Sequence, residues 1–269
     1  MGGYVMKSRS IALFVLPLAL FVMVTSVLAQ SNNTQTNFTI APPPLGYPEY
    51  PEESTVSQTL NFTGAIIRGK DLSVNGFLLG WIPRYGGDWG AIDCLVSMFV
   101  MSGDIDMGSG SQSLTFVGFD LAPAIELPII NTEPFKLVLF GGFDMLLSRA
   151  SFSTTDPYSS GNTMKWYFDT VQYGPLAGIQ AHIALAESLL LSPFVMIKSM
   201  RGSVDVTTDP AYVGFQTSYD IPAFTVMTYG FDIVEKTTGL TLSGLLQLTG
   251  STSETQSVKS YVFGVSIKL

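Results

Sequence analysis

The sequence predicts an all-β chain: a transmembrane antiparallel up-and-down β-barrel of about ten strands, with eight also compatible. Three observations predict it. Long segments alternate with a period of two between an apolar face and a small or polar one. Tight and loose connections alternate along the chain, as they do when one rim of a barrel carries turns and the other carries loops. After residue 28 no segment is both long and apolar enough for a spanning helix, because the best candidate, 179–196, is interrupted by His182, Glu187 and Pro193. A chain that enters lipid without such a helix must pair its backbone groups between strands.

The N-terminal segment reads as a signal peptide. Lys7 and Arg9 precede an apolar run over 11–28, and Val27-Leu28-Ala29 places modest or small residues at the −3 and −1 positions before Gln30. The competing reading is an uncleaved helical anchor. Pro17 and the flank Gln-Ser-Asn-Asn, which carries no basic cluster, favour cleavage, so residues 1–29 are assigned to the signal peptide. Residues 30–57 are Asn-rich and then Pro-rich, through Pro42-Pro43-Pro44 and Pro48, Pro51; they read as a disordered, polyproline-like leader, with a solvated linker weighed against a recognition tail.

The barrel is expected over 58–269, with strands near 58–67, 71–82, 91–106, 114–130, 135–152, 165–185, 189–206, 221–236, 240–250 and 257–269. The segment 114–129 shows the pattern most fully: Val117, Phe119, Leu121, Pro123, Ile125, Leu127 and Ile129 share one face, and Gly118, Asp120, Ala122, Ala124 and Glu126 the other. Val171, Tyr173, Ala177 and Ile179 likewise oppose Gln172, Gly174, Gly178 and Gln180. Further on, Leu240, Leu242, Leu246 and Leu248 oppose Thr241, Ser243, Gln247 and Thr249. Connections at 131–134, 186–188 and 236–239 are tight. Those at 108–113, 153–163, 207–215 and 251–256 are longer and rich in Ser, Thr, Gly and Asp. A basic side chain in the middle of a lipid-facing strand costs roughly 2–4 kcal/mol, and the mid-strand charges fall on the opposite face. On this register Leu121→Arg is expected to hinder insertion, and Ala122→Arg to be milder if the lumen has room.

Composition narrows the function classes. A net charge of −8 with only 13 % charged residues argues against a nucleic-acid surface. Cys94 is the only cysteine, so neither an intrachain disulfide nor a cysteine-based zinc site is available, and its alternation with Ile92, Val96 and Met98 reads as a buried or lipid-facing apolar position.

The final strand alternates Tyr261, Phe263, Val265, Ile267 and Leu269 with Val262, Gly264, Ser266 and Lys268. It resembles the C-terminal assembly signal of bacterial outer-membrane barrels, with Leu269 where that signal ends in an aromatic residue. Together with the signal peptide and the two sets of turns, 58–269 resembles the small outer-membrane β-barrel proteins of Gram-negative bacteria. The resemblance implies export to the outer membrane, contact with its lipid bilayer, and recognition of 257–269 by the barrel-assembly machinery. It brings no catalytic motif. In that setting the triplets beginning at Asn37 and Asn61 match glycosylation acceptors by chance.

The residues placed in the lumen are Asp93, Asp120, Glu126, Lys136, Asp144, His182, Lys198 and Asp232. They could line an ion path or fill a narrow barrel with ion pairs, and a small strand number favours filling. His182, the only histidine, has no neighbouring nucleophile in sequence and reads as a member of a hydrogen-bonded network. Trp81, Trp89, Trp166, Tyr167, Tyr229 and Tyr261 are expected at the membrane interfaces, with a carbohydrate platform as the alternative. No catalytic, metal or cofactor site is expected. The reading is an outer-membrane barrel with a plugged polar lumen, acting structurally or through surface loops. A narrow pore for ions or small solutes, and a soluble secreted ligand-binding β-barrel, are the alternatives.

Overall fold

The computed structural model describes residues 53–69, 71–106, 111–155, 162–209, 216–250 and 258–269; the expected signal peptide and most of the Pro-rich leader lie outside the described residues. Ten strands form one closed antiparallel barrel. They are β1 (Thr55–Arg68), β2 (Leu72–Gly87), β3 (Gly90–Asp106), β4 (Ser111–Thr132), β5 (Phe135–Thr155), β6 (Thr163–Ala184), β7 (Leu189–Asp209), β8 (Thr217–Glu235), β9 (Leu240–Gly250) and β10 (Val258–Lys268). Each strand pairs with its sequence neighbours, and β1 closes on β10 from Thr59↔Lys268 to Arg68↔Lys259. Closure leaves no open edge, so every strand has hydrogen-bonding partners on both sides.

The strands are longer than local composition suggests. β1 begins at Thr55, so the last residues assigned to the leader pair with β2, as Thr55↔Gly86 and Val56↔Tyr85. β5 runs to Thr155, β6 starts at Thr163 and β7 continues to Asp209, all inside segments whose Ser, Thr and Asp content reads as loop. Pairing overrides composition there, because β5 and β6 pair as far as Thr155↔Thr163 and β6 pairs with β7 as far as Lys165↔Asp209, which supplies partners for backbone N–H and C=O groups. The wall is uneven: β6 has 22 residues, whereas β9 and β10 have 11 each. The connection between β1 and β2 is also short, although it lies at the same rim as the longer loops.

Three inward phenyl rings lie over glycines on the next strand, in register, as Phe99↔Gly118, Phe140↔Gly178 and Phe194↔Gly230. A Cβ added at Gly118 would stand 2.2 Å from the Phe99 ring, and one at Gly178 would stand 2.2 Å from the Phe140 ring. The glycines therefore give the rings room to lie against the wall, and the same device recurs at alternate strand pairs.

The outer wall carries an apolar band. On β4 it holds Val117, Phe119, Leu121, Ile125 and Ile129; on β5, Leu139, Phe143 and Leu147; on β7, Leu191, Val195 and Ile197; on β10, Phe263, Val265 and Ile267. Toward the loop rim the band stops abruptly. The next outward positions are Thr115 above Val117, Arg149 above Leu147, Asp169 above Val171, Arg68 above Ile66 and Ser102 above Val100. Arg149 and Asp169 pair through two hydrogen bonds of 2.6 and 2.7 Å, and the Arg149 guanidinium lies over the Tyr167 ring. These polar side chains define where the lipid-facing surface ends.

Candidate functional site

The inner wall is the candidate site, and its two halves differ. Nearer the turn rim it holds a belt of charged and hydrogen-bonding groups. Asp93, Asp120, Glu126, Asp144, His182, Lys198 and Asp232 are all buried inside the barrel. Lys136 is half-buried close to the turn rim, opposite His182 on the β5–β6 pair.

The belt divides into four groups. Lys198 on β7 binds Asp144 on β5, both almost fully buried, and Asp120 on β4 lies against the same pair. Arg84 on β2 donates to Glu126 on β4 at 2.8 Å, and Asp93 on the intervening β3 stands opposite Arg84. Asp232 on β8 accepts from Ser243 Oγ at 2.6 Å and from Gln180 Nε2 at 3.2 Å. His182 Nδ1 and Ser192 Oγ lie 2.8 Å apart beside the β6–β7 turn. These contacts join neighbouring strands, or strands separated by one other, along the inner wall. Four carboxyl groups, Asp93, Asp120, Glu126 and Asp144, thus share two bases, Arg84 and Lys198, while Asp232 is held by neutral donors and Lys136 lies near the rim. In a region of weak solvent screening such charges attract strongly, and each is stable there only while paired or hydrogen-bonded.

Toward the loop rim the inner wall is apolar, which corrects the expectation of a polar lumen. Ile67, Leu72, Val74, Phe99, Met101, Leu114, Phe116, Leu146, Phe152 and Val258 form one packed cluster, with Trp166 and Phe168 against it. Met200, Ile221, Phe224 and Val226 form another. Aromatic rings organise this half: Phe152 stacks on Trp166 with centroids 6.2 Å apart and on Phe168 at 5.6 Å. Among the described residues, the inward positions above Asp120, Asp144 and Lys198 carry no charged side chain. Outside, at this height, Arg149, Asp169 and Asp205 face away from the barrel. An apolar inner face behind a charged outer one is the arrangement of a barrel surrounded by water.

The expected interface aromatics separate in the same way. Trp89 and Tyr85 flank the β2–β3 turn on the outside, with ring centroids 6.1 Å apart, and the Trp89 indole donates to Ser54. Trp81 is exposed on the outer wall and donates to Gln58. Tyr167 lies under Arg149 above the apolar band, and Tyr261 sits immediately below Lys259 at its edge. Tyr229 sits within the band, between Met227 and Phe231, rather than at an edge. Trp166 turns inward, against Phe152, with its indole N–H donating to Thr154. Its even position places it on the lumen face of β6, because it shares the side of Met164 and Phe168. Cys94 faces outward and is partly exposed.

Gln180, Ser192 and Ser243, whose positions read as the polar face of their strands, join the site as hydrogen-bond partners, and Arg84 belongs to it although it is absent from the residues expected there. Arg84 was hidden because β2 is apolar on both faces: Leu78 and Ile82 share its side, and Phe77, Leu79 and Trp81 the other. The phase of β3 and β4 across the sheet would have found it.

The sequence matches no protein-family model and no curated protein. Among solved structures it is similar to the outer membrane protease OmpT from Escherichia coli, at 9 % identity over 80 % of this chain and 94 % of that one, with a TM-score of 0.50. It is also similar to the outer membrane protein OprG from Pseudomonas aeruginosa, at 11 % identity over 81 % and 98 % of the two chains, with a TM-score of 0.40. The translocator domain of autotransporter NalP from Neisseria meningitidis gives 15 % identity over 80 % and 87 %, with a TM-score of 0.40. At such identities the likeness is one of fold: this chain has the closed antiparallel barrel fold of outer-membrane proteins.

Proposed function

We propose that the chain is an exported outer-membrane protein whose barrel is closed to solutes and which acts through its loop rim, in a structural or surface-interaction role. On this reading residues 1–29 are removed on export, the barrel-assembly machinery engages β10, and the longer loops face the outside of the cell. The observation that carries it is the double filling of the lumen. A cross-linked ionic belt centred on Lys198 and Asp144 lies below a packed apolar layer containing Phe99, Met101, Leu146 and Met200. An ion crossing this barrel would have to break buried ion pairs and then pass an apolar constriction, each of which opposes conduction.

The name of OmpT includes a protease activity, but a likeness at 9 % identity brings no activity with it. The pair here with base-and-nucleophile chemistry, His182 and Ser192, is sealed inside the wall at 1 % and 0 % exposure, where no substrate reaches it. The protein is read as non-catalytic.

Planar-bilayer recording of the purified protein tests the closed lumen. The expected result is no steady opening at moderate voltage. Reproducible cation-selective steps that persist after deletion of the loops would replace this reading with a narrow pore, for which the acidic surplus of the belt would be the selectivity element.

A further inference from the structure

The outer wall near the β1–β10 seam holds a groove of about 460 Å³ on the lipid-facing side, lined by Gly64, Ile66, Asn75, Phe77, Val100 and Phe263 among others. Its centre is Gly64, which stands in register between Phe263 on β10 and Phe77 on β2. Both phenyl groups are exposed, at 62 % and 76 %, so they form the two sides of a slot floored by glycine. A Cβ at Gly64 would meet only the Phe263 carbonyl oxygen, at 3.9 Å. The backbone therefore does not require glycine at this position. The slot exists because a side chain that would fit is missing.

At the loop-rim end of the slot, one row above Ile66 and Tyr261, Arg68 and Lys259 stand directly opposite each other. Like charges in that arrangement repel and destabilise a strand pair. Among the described residues neither has a carboxylate partner in an ion pair. The Arg68 guanidinium is held by Ile67 O at 2.9 Å, Val74 O at 3.2 Å and Asn75 Oδ1 at 3.0 Å, which fixes it beside a residue that lines the groove. The acidic group on the same row of the outer wall is Asp104, two strands from Arg68 through Ser73 and so about 10 Å away. Asp71 lies in the nearby β1–β2 turn. Across the barrel, by contrast, Arg149 is neutralised by Asp169.

We infer that this surface binds one anionic lipid whose head carries a phosphate with no cation of its own, its acyl chain in the Gly64 slot between Phe77 and Phe263 and its phosphate between Arg68 and Lys259. The row of basic residues and the centre of the slot are four residues apart on β1, about 13 Å along the strand, which fits a head above a chain in one molecule. A phosphate between the two cations removes their repulsion and gains charge-assisted hydrogen bonds.

Native mass spectrometry of the detergent-purified full-length protein, incubated with dioleoyl phosphatidylglycerol or dioleoyl phosphatidylcholine, tests this. The protein is expected to retain one phosphatidylglycerol, preferred about tenfold over phosphatidylcholine. The double variant Arg68→Gln/Lys259→Gln should lose that preference, and Gly64→Leu should lose retention of both lipids, with heat-modifiable gel mobility reporting that each barrel is folded. Arg149→Gln should bind as the unaltered protein does. The site is overturned if the unaltered protein shows no preference, or if the folded double variant keeps it. It is equally overturned if inorganic phosphate at millimolar concentration displaces the lipid, or if a second copy of the chain occupies the groove in place of lipid. These outcomes are independent of conductance, so they leave the closed-lumen reading where it stands.

Discussion

The two halves of the barrel are built on opposite plans. Near the turn rim the outside is apolar and the inside charged; near the loop rim the outside is charged and the inside apolar. The change occurs within single strands. On β5, Leu139, Phe143 and Leu147 point outward, and a little further on Arg149, Ser151 and Ser153 take the outer face while Ala150 and Phe152 turn in. On β7, Val195 and Ile197 give way to Arg201, Ser203 and Asp205 outside, with Val204 and Val206 inside. Side-chain alternation along β5 and β7 runs unbroken through the switch, while the pairing of β7 with β8 shifts register there, between Met200 and Gly202. Lipid accepts apolar side chains, which leaves the lumen to polar groups, whereas water drives them inward. The inversion therefore marks, on the proposed outer-membrane reading, where the bilayer ends.

The largest expected effect is in the lower half. Lys198→Met leaves Asp144 and Asp120 buried without their ammonium partner, a change expected to cost about 3–5 kcal/mol in urea titrations of the barrel folded into lipid vesicles. Adding Asp144→Leu should recover part of the loss, because one stranded charge is then removed with its partner. A cost below about 1 kcal/mol for the single change would show that the belt is hydrated rather than closed.

The outer face offers the next test. Leu121→Arg, within the apolar band, should cost roughly 2–4 kcal/mol in the same titrations, while Ser151→Arg, above it, should change stability by less than about 0.5 kcal/mol. Equal costs would move the boundary above Ser151 and break the comparison. Ala122→Arg is now expected to be at least as damaging as Leu121→Arg, because Ala122 packs against Ile82, Leu95, Leu176 and Met196 and the lumen has no room for the larger side chain. The smallest effect belongs to the upper outside. Arg149→Gln breaks an ion pair whose side chains are 56 % and 38 % exposed, and it should cost less than about 1 kcal/mol. A larger value would place Arg149 in a drier setting than water.

Much of this was legible from residues alone. The alternation over 114–129 placed Asp120 and Glu126 on the same face as Ala122, and the structure puts all three inside the barrel. Trp166 was misplaced because aromatic type was taken as the signal; its parity with Met164 and Phe168 was the better guide. The apolar upper lumen was missed although its residues lie within the expected strands: the face that carries Asp120 in mid-strand continues to Phe116 and Leu114, and its polar character does not extend that far.

The sequence by itself determined the class of object, an all-β barrel, and the parity of most strands, because side-chain alternation is a property of each strand alone. Tertiary structure decided which parities meet and at what height. Lys198 and Asp144 are 54 residues apart in sequence, Gln180 and Asp232 are 52, and Arg84 and Glu126 are 42. Their contacts depend on the register accumulated strand by strand and on the closure of β1 against β10. No local pattern encodes that sum. The same closure sets the height of each residue against the membrane, and so decides whether an inward position joins the charged belt or the apolar layer above it.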